Sequence, residues 1–240
     1  MKLALTIGAA LVAAAALQPD TIPAAGGSLQ ITPNAHASVQ IEYAGKVIQV
    51  DPAQADLSNA RQADLVLITD IHGDHLDPSS MAKVRKAGAP VVIPAAAKDR
   101  VPDGTVIANG ETKTVAGIAV EAVAMYNLQR GPAAGQLFHD KGRGNGYVVS
   151  LGGKRIYFAG DTECTPEMRA LKNIDVAFIP MNLPYTMTPA EAAECARAFK
   201  PKIVYPYHYR GQKPEEFAAA LKGEPIEVRL RNWYPAAPAK

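Results

Sequence analysis

The chain has 240 residues, 48% of them hydrophobic and 20% charged, with a formal charge of +2. A chain of this length buries most of its unfolded surface and needs no staple to complete a core. The near-neutral balance gives no reason to expect a nucleic acid partner, and two cysteines are too few for a disulfide framework.

Residues 1–18, MKLALTIGAALVAAAALQ, carry one cation, Lys2, and then fifteen uncharged residues from Leu3 to Leu17. That run is shorter than the roughly 20 residues of a membrane span. Small residues follow it, so it reads as a secretory signal peptide cleaved between residues 15 and 25. An uncleaved anchor is the alternative. Removal of the segment leaves no membrane association and a periplasmic or secreted protein, in a compartment where paired cysteines survive. Residues 19 to 28, rich in Pro, Gly and Ala, read as a flexible linker, and a single domain is expected over 29–236.

In SVQIEYAGKVIQVDP an alternating run turns at Ala44-Gly45 and closes at Asp51-Pro52, the pattern of a hairpin. ADLVLIT is a continuous apolar run suited to a strand covered on both faces. Asp77 then offers an N-cap and Pro78 a first-turn proline, which predicts a helix ending near Gly88. PVVIP reads as a short strand, and TKTVAGIAVEAVAM as a hairpin turning at Ala116-Gly117. A glycine-rich loop spans Asn127 to Asn145. GYVVSLGGKRIYFAGD is a further hairpin, turning at Gly152-Gly153. IDVAFIPM is a buried strand. Thr188, Pro189 and Glu191 form a capping box opening the helix TPAEAAECARAF. KIVYPYHY reads as a strand, PEEFAAALKG as a helix, and IEVRLRNW as the closing strand. Strands first, then strands mixed with helices in both halves, fit one domain of layered sheets and helices.

The acids and histidines cluster at strand ends. Asp70, His72, Asp74 and His75 follow LVLIT, Asp161 follows RIYFAG, and His208 follows KIVYP. Strands buried on both faces bring their ends to one sheet edge, where open sheets carry their sites. Imidazole nitrogen and carboxylate oxygen are the donors that zinc and similar ions take, usually four at about 2 Å. HGDH alone is a weak sign of a metal site; joined in order to GD and H after two later strands, it becomes a strong one.

This ordered set resembles the metallo-β-lactamase fold superfamily, and more narrowly the metal-dependent hydrolases grouped with the ascorbate-phosphate lactonases. HASVQIEYAGKVIQVDP, FAGDTE and PYHY share in the likeness, which covers roughly residues 29 to 210. It implies an α+β fold, a four-layer αβ/βα sandwich of two mixed β-sheets flanked by helices. It also implies one or two divalent ions at the sheet edge: zinc by donor type, with manganese and iron open. His72 would belong to the first metal site, Asp74, His75 and His208 to the second, and Asp161 would bridge them. Two positions depart from the pattern. Asp70 stands where the first histidine is expected, and the middle histidine, expected after VAM, is replaced near Tyr126-Asn127. Asp70 can still bind a metal, Asn127 could do so weakly, and His139 could swing in from the loop.

His36, near the site in such proteins, is expected to hold a ligand carboxylate in place, or else to be a satisfied structural histidine. His139 lies among Arg130, Lys141 and Arg143 in a loop long enough to suggest function; Lys141 and Arg143 are expected to meet an anionic group of the substrate. Tyr185, Tyr207 and Tyr209 cluster around the expected site turns; one of them, Tyr185 first, is a candidate hydrogen-bond partner for that substrate, with aromatic packing the more usual role for each. The glycines of GRGNG precede a strand rather than a helix, so they are no dinucleotide fingerprint. Cys195 reads as a small core residue. Cys164, three residues after Asp161, reads as a buried free thiol more readily than as a nucleophile or ligand. No Ser or Cys triad is evident. The expected reaction is hydrolysis of an ester, lactone or phosphodiester bond of a small exported substrate by a metal-bound hydroxide, with Asp74 orienting the water and taking its proton. A degenerate, non-catalytic metal-binding protein of the same fold is the alternative.

Overall fold

The computed structural model describes residues 19–234. The signal-peptide segment, 1–18, and the last two positions of the expected domain lie outside the described residues. Two seven-stranded sheets face each other. The first runs in sequence order: β1 (Asp20–Ala24), β2 (Gly27–Ala35), β3 (Ser38–Tyr43), β4 (Lys46–Val50), β5 (Leu65–Leu67), β6 (Val91–Ile93) and β7 (Thr105–Val106). The second contains β8 (Thr112–Val115), β9 (Ile118–Met125), β10 (Gly144–Leu151), β11 (Lys154–Phe158), β12 (Val176–Pro180), β13 (Ile203–Tyr207) and β14 (Glu227–Val228), also in order. In each sheet the first four strands pair antiparallel and the last four parallel. The chain therefore repeats one topology twice, with no repeat legible in its residues.

The hairpins turn where the dipeptides indicate. Both residues of Ala44-Gly45, Ala116-Gly117 and Gly152-Gly153 have positive φ, the twist that two-residue hairpin loops require. Among the described residues, four α-helices cover the outer faces: α1 (Pro78–Val84), α2 (Pro166–Arg169), α3 (Pro189–Phe199) and α4 (Pro214–Ala220). Asp77 accepts from the Ser79 amide at the start of α1, and Thr188 with Glu191 closes the expected capping box of α3. Between the sheets lies the main core, where Ile41, Ile48, Val50 and Leu67 meet Val149, Ile156, Phe158 and Phe178. Outside the second sheet, Ala192, Ala196 and Phe199 of α3 and Phe217 of α4 pack on Tyr157, Ala177 and Val204. Met81 of α1 packs with Val66 and Val91 outside the first. Four layers result, as the resemblance implies. No helix among the described residues is long and apolar enough to cross a membrane.

Three expectations need correction. Residues 20–35 are a hairpin, not a linker: Ile22 and Leu29 alternate inward onto the core, and the Pro and Gly sit at an edge strand and a turn, where they are tolerated. The closing strand is only two residues long, after which the chain crosses to bury Trp233 between the sheets. Cys164 and Cys195 are joined in a disulfide, their Cα atoms 5.6 Å apart. Cys195 is buried on α3 as expected, but Cys164 is neither a free thiol nor a nucleophile.

Candidate metal centre

The turn after β5 is stiff. The amides of His75 and Leu76 both donate to the His72 carbonyl, at 3.1 and 2.8 Å, and the capped start of α1 follows. The second sheet reaches this turn because two glycines permit contact. A Cβ on Gly144 would lie 2.9 Å from the Thr69 carbonyl oxygen; one on Gly160 would lie 2.4 Å from Met125 Sδ and 3.0 Å from Thr69 Cβ. The Asn145 amide then donates to that Thr69 carbonyl at 2.9 Å. Gly144 of GRGNG and Gly160 thus serve the close approach of two sheet edges, which brings Asp161, just after Gly160, against the Asp70–His75 turn.

Donor atoms converge there in two groups that share Asp161. One atom from each of Asp70, His72, His139 and Asp161 lies within 4.8 Å of the others, and the same holds for His75, Asp161 and His208. His208 Nε2 is 3.2 Å from Asp161 Oδ1, and His75 Nε2 is 3.3 Å from Asp161 Oδ2. Asp74 belongs to a third group, with His36 and His208, which adjoins the second through His208; its Oδ2 lies 3.5 Å from His208 Nε2.

The second group rests on buried partners. His75 Nδ1 lies 2.8 Å from Asp51 Oδ2, and Asp51 accepts from both the amide and the hydroxyl of Thr69, at 2.8 and 2.6 Å. His36 Nε2 lies 3.0 Å from Asp74 Oδ2, while its Nδ1 meets the Tyr234 hydroxyl at 2.7 Å. The His208 amide donates to the His36 carbonyl at 3.0 Å, and both histidines hold positive φ.

The first group depends on the loop. Asn127 Oδ1 accepts from the His139 amide at 2.9 Å and lies 2.7 Å from His139 Nδ1. That contact aims His139 Nε2 at Asp161 Oδ2, 3.4 Å away. Glu163 fixes the loop's base, its carboxylate accepting from the amides of Leu128, Gln129 and Arg130. His72 Nδ1 and Arg143 Nη2 each lie 2.9 Å from Asp70 Oδ2.

Charge and burial oppose each other throughout. Burial alone would raise the Asp74 carboxyl, but the neighbouring imidazoles of His208 and His36 pull it well below the carboxylate range. Burial likewise works against ionised Asp70, yet His72, His75 and Arg143 hold it down at about 2. Asp161 is held far below its ordinary value by the histidines around it, against a full burial penalty. Burial pushes Asp51 up. At His75, burial would lower the imidazole, but the Asp161 and Asp51 carboxylates outweigh it and raise the group well above 6.5. Burial lowers His36 to about 4, so it is neutral at physiological pH.

These donors fit a divalent ion. Asp70 Oδ1, His75 Nε2, His139 Nε2, Asp161 Oδ1 and His208 Nε2 are buried without hydrogen-bond partners, a costly state for polar atoms that metal coordination relieves. Of these residues, His139, Asp161 and His208 line a cavity of about 820 Å³.

Asp70, His72, Asp74, His75, Asp161 and His208 are thus brought together, and His139 comes in from the loop to join them. Asn127 stands behind His139 rather than in the group, His36 stands behind Asp74, and Tyr185 lines the cavity, 43% exposed. Lys141 is turned away: it pairs with Glu167 and lies over the Tyr126 ring. Arg130 pairs with Glu163 and Glu191. Asp51, Thr69, Glu163 and Tyr234 were missed by sequence reasoning. Asp51 had a usable signal, since it closes an apolar strand just as Asp161 does.

A beta-lactamase superfamily domain matches residues 30–208. A metal-dependent hydrolase of Thermococcus kodakarensis is 32% identical over 80% of this chain and 92% of its own. Among solved structures, a Parabacteroides distasonis protein assigned to the metal-dependent hydrolases is 42% identical, with TM-score 0.85, over 91% of this chain and all of its own. A metallo hydrolase of Ignicoccus hospitalis, 21% identical over 85% of this chain and 95% of its own, shares the fold at TM-score 0.70.

Proposed function

The chain belongs to the beta-lactamase superfamily and, within it, to the metal-dependent hydrolases, and we propose that it cleaves an ester, lactone or phosphodiester bond in a small anionic substrate. The observation that carries this reading is the set of clustered, partnerless buried donors, with His139, Asp161 and His208 of that set lining one cavity. Asp70, His72, His139 and Asp161 would hold one divalent ion; His75, His208, Asp74 and Asp161 would hold the other, and the nitrogen and oxygen donors suit zinc. A bound ion supplies Lewis acidity, lowering the pKa of water from about 16 to about 7 and polarising a carbonyl or phosphoryl oxygen.

The chain's own groups do the rest. Asp74, ionised at neutral pH and 25% exposed to the cavity, orients the attacking water and takes its proton. His36, neutral and anchored on Tyr234, keeps that carboxylate from rotating away. Tyr185 stands at the cavity wall within reach of a bound substrate. Among the described residues, Arg210 is the one Lys or Arg side chain lining the cavity; its partners there are the Gln54 amide oxygen at 2.8 Å and the Tyr234 ring face, and no described carboxylate pairs with it. That free charge supports an anionic substrate, a role the sequence suggested for Lys141 and Arg143.

Export fits the same picture. One disulfide in a chain that opens with a cation and an apolar run is what an oxidising compartment favours. Cleavage after Ala15 or Ala16 would leave the first sheet intact, whereas cleavage near Ala25 would remove β1. N-terminal sequencing of the exported protein tests this.

The hydrolase reading is tested by assaying zinc-loaded and chelated protein on a panel of esters, lactones and phosphodiesters. Turnover is expected only with metal, and its loss in Asp74→Asn. Arg210→Gln is expected to raise KM for anionic substrates about tenfold, the worth of one charge-assisted contact, with neutral analogues unaffected. Folded, metal-replete protein inert across the panel overturns the reading.

A further inference from the structure

Arg143, the residue before β10, is held inside the first donor group. Its Nη1 donates to the Phe138 carbonyl at 2.8 Å, its Nη2 donates to Asp70 Oδ2 at 2.9 Å, and the same Nη2 lies 2.7 Å from His72 Nε2. Guanidinium nitrogens carry no acceptor lone pair and do not deprotonate in proteins. His72 Nε2 must therefore be the acceptor, and Asp70 Oδ2 answers to a permanent cation. Asp70 is completely buried and the Arg143 side chain is only 20% exposed, so solvent screens this pair weakly. Nothing comparable stands on the other side: among the described residues, Asp74 and Asp161 pair only with histidines.

We propose that Arg143 is a built-in competitor for the first metal position, making the two positions unequal: the His75–Asp161–His208 group fills first and tightly, and the Asp70–His72–His139 group fills weakly. The inference rests on the reading that these groups hold divalent ions. The Asp70 carboxylate in place of a neutral histidine adds a negative charge, and Arg143 takes that charge up. An arriving dication must share Asp70 with the guanidinium and suffer its repulsion. Because arginine stays charged at every physiological pH, the inequality is fixed rather than switched.

The test is a titration of chelator-stripped full-length protein with cobalt(II), followed by calorimetry and visible absorption, with elemental analysis for stoichiometry. The wild type is expected to bind in two steps, the second at least about tenfold weaker than the first. His208→Ala should remove the tight step and His139→Ala the weak one. Arg143→Gln should strengthen the weak step about tenfold or more without moving the tight one, and Arg143→Lys should restore the gap. Arg143 also holds the Phe138 carbonyl, so a merely structural arginine predicts the opposite sign, a weak step that becomes weaker in Arg143→Gln. That result, or two equal steps in the wild type, overturns the inference while leaving the hydrolase reading standing. Absence of any binding overturns both. If Arg143→Gln does not fold, the two-step wild-type curve and the two histidine variants still decide the order of filling.

Discussion

The two donor groups share Asp161 but are built from different material. His75, in the turn leading into α1, and His208, directly after β13, are fully buried, with Asp51, Thr69, His36 and Tyr234 fixing their surroundings at 2.6 to 3.1 Å. His139 comes from a long loop, held by one asparagine, and His72 is half exposed. A site carried on strand ends with buried support is preorganised, because its side chains have nowhere else to go. One carried on a loop depends on whatever ties the loop down. Here that tie is a chain of contacts: Glu163 holds the backbone at residues 128–130, Asn127 holds His139, and Arg143 holds Phe138.

The largest effect should come from the residue both groups need. Asp161→Ala is expected to abolish binding at both positions and to reduce kcat by more than the roughly 100-fold ceiling for residues standing behind ligands; elemental analysis and steady-state assays check this. Next come those residues themselves. Asp51→Ala removes the carboxylate behind His75 and should weaken the tight position about 10- to 100-fold. Asn127→Ala should act in the same range on the weak position alone. If Asp51→Ala and Asn127→Ala weaken the same position, the division into a strand-built and a loop-built group is wrong.

The groups should also differ in pH dependence. In the metal-free protein His75 is protonated well above 6.5, held so by Asp161 and Asp51. A raised pKa stabilises the folded protein fully below the unfolded value, and that stabilisation is lost as pH rises through the folded value. An ion needs a bare His75 Nε2, so its binding must expel the proton. Affinity at the tight position is therefore expected to rise by up to about tenfold per pH unit while pH stays below the raised value, and to level off above it. Cobalt titrations across that range check it.

Most of this was legible in the residues, for identifiable reasons. Continuous apolar runs and two-residue turns specify β3–β4, β8–β9 and β10–β11 locally, and the acids and histidines mark which strand ends face the site. Supporting groups are harder, because their meaning lies in contacts between distant segments. Asp51 reads as the end of a hairpin until β5 lies beside it and Thr69 donates to it. Asn127 reads as a poor stand-in for a histidine because nothing in its own neighbourhood shows His139 returning from twelve residues on. Tyr234 reaches His36 across 198 positions. The hairpin at 20–35 was hidden because Pro, Ala and Gly are usual in linkers, and only pairing with β3 shows which of its residues turn inward.

The smallest effect on metal binding should come from the disulfide. It ties Cys164, in the segment after Asp161, to α3 on the far side of the second sheet. Its 31-residue separation corresponds to about 3–4 kcal/mol of loop-closure stabilisation. Cys164→Ser with Cys195→Ser should therefore lower Tm by roughly 6–16 °C. Asp161 itself is anchored upstream, through Gly160 on the Tyr207 hydroxyl, so the tight position should keep its affinity. Glu163 is the immediate neighbour of Cys164 and the base of the His139 loop, so the weak position should lose affinity, by less than the roughly tenfold minimum expected of Asn127→Ala. Paired calorimetric and cobalt titrations of the double variant separate the two. A drop in Tm with both positions untouched would mean that the loop needs Glu163 but not the bond beside it.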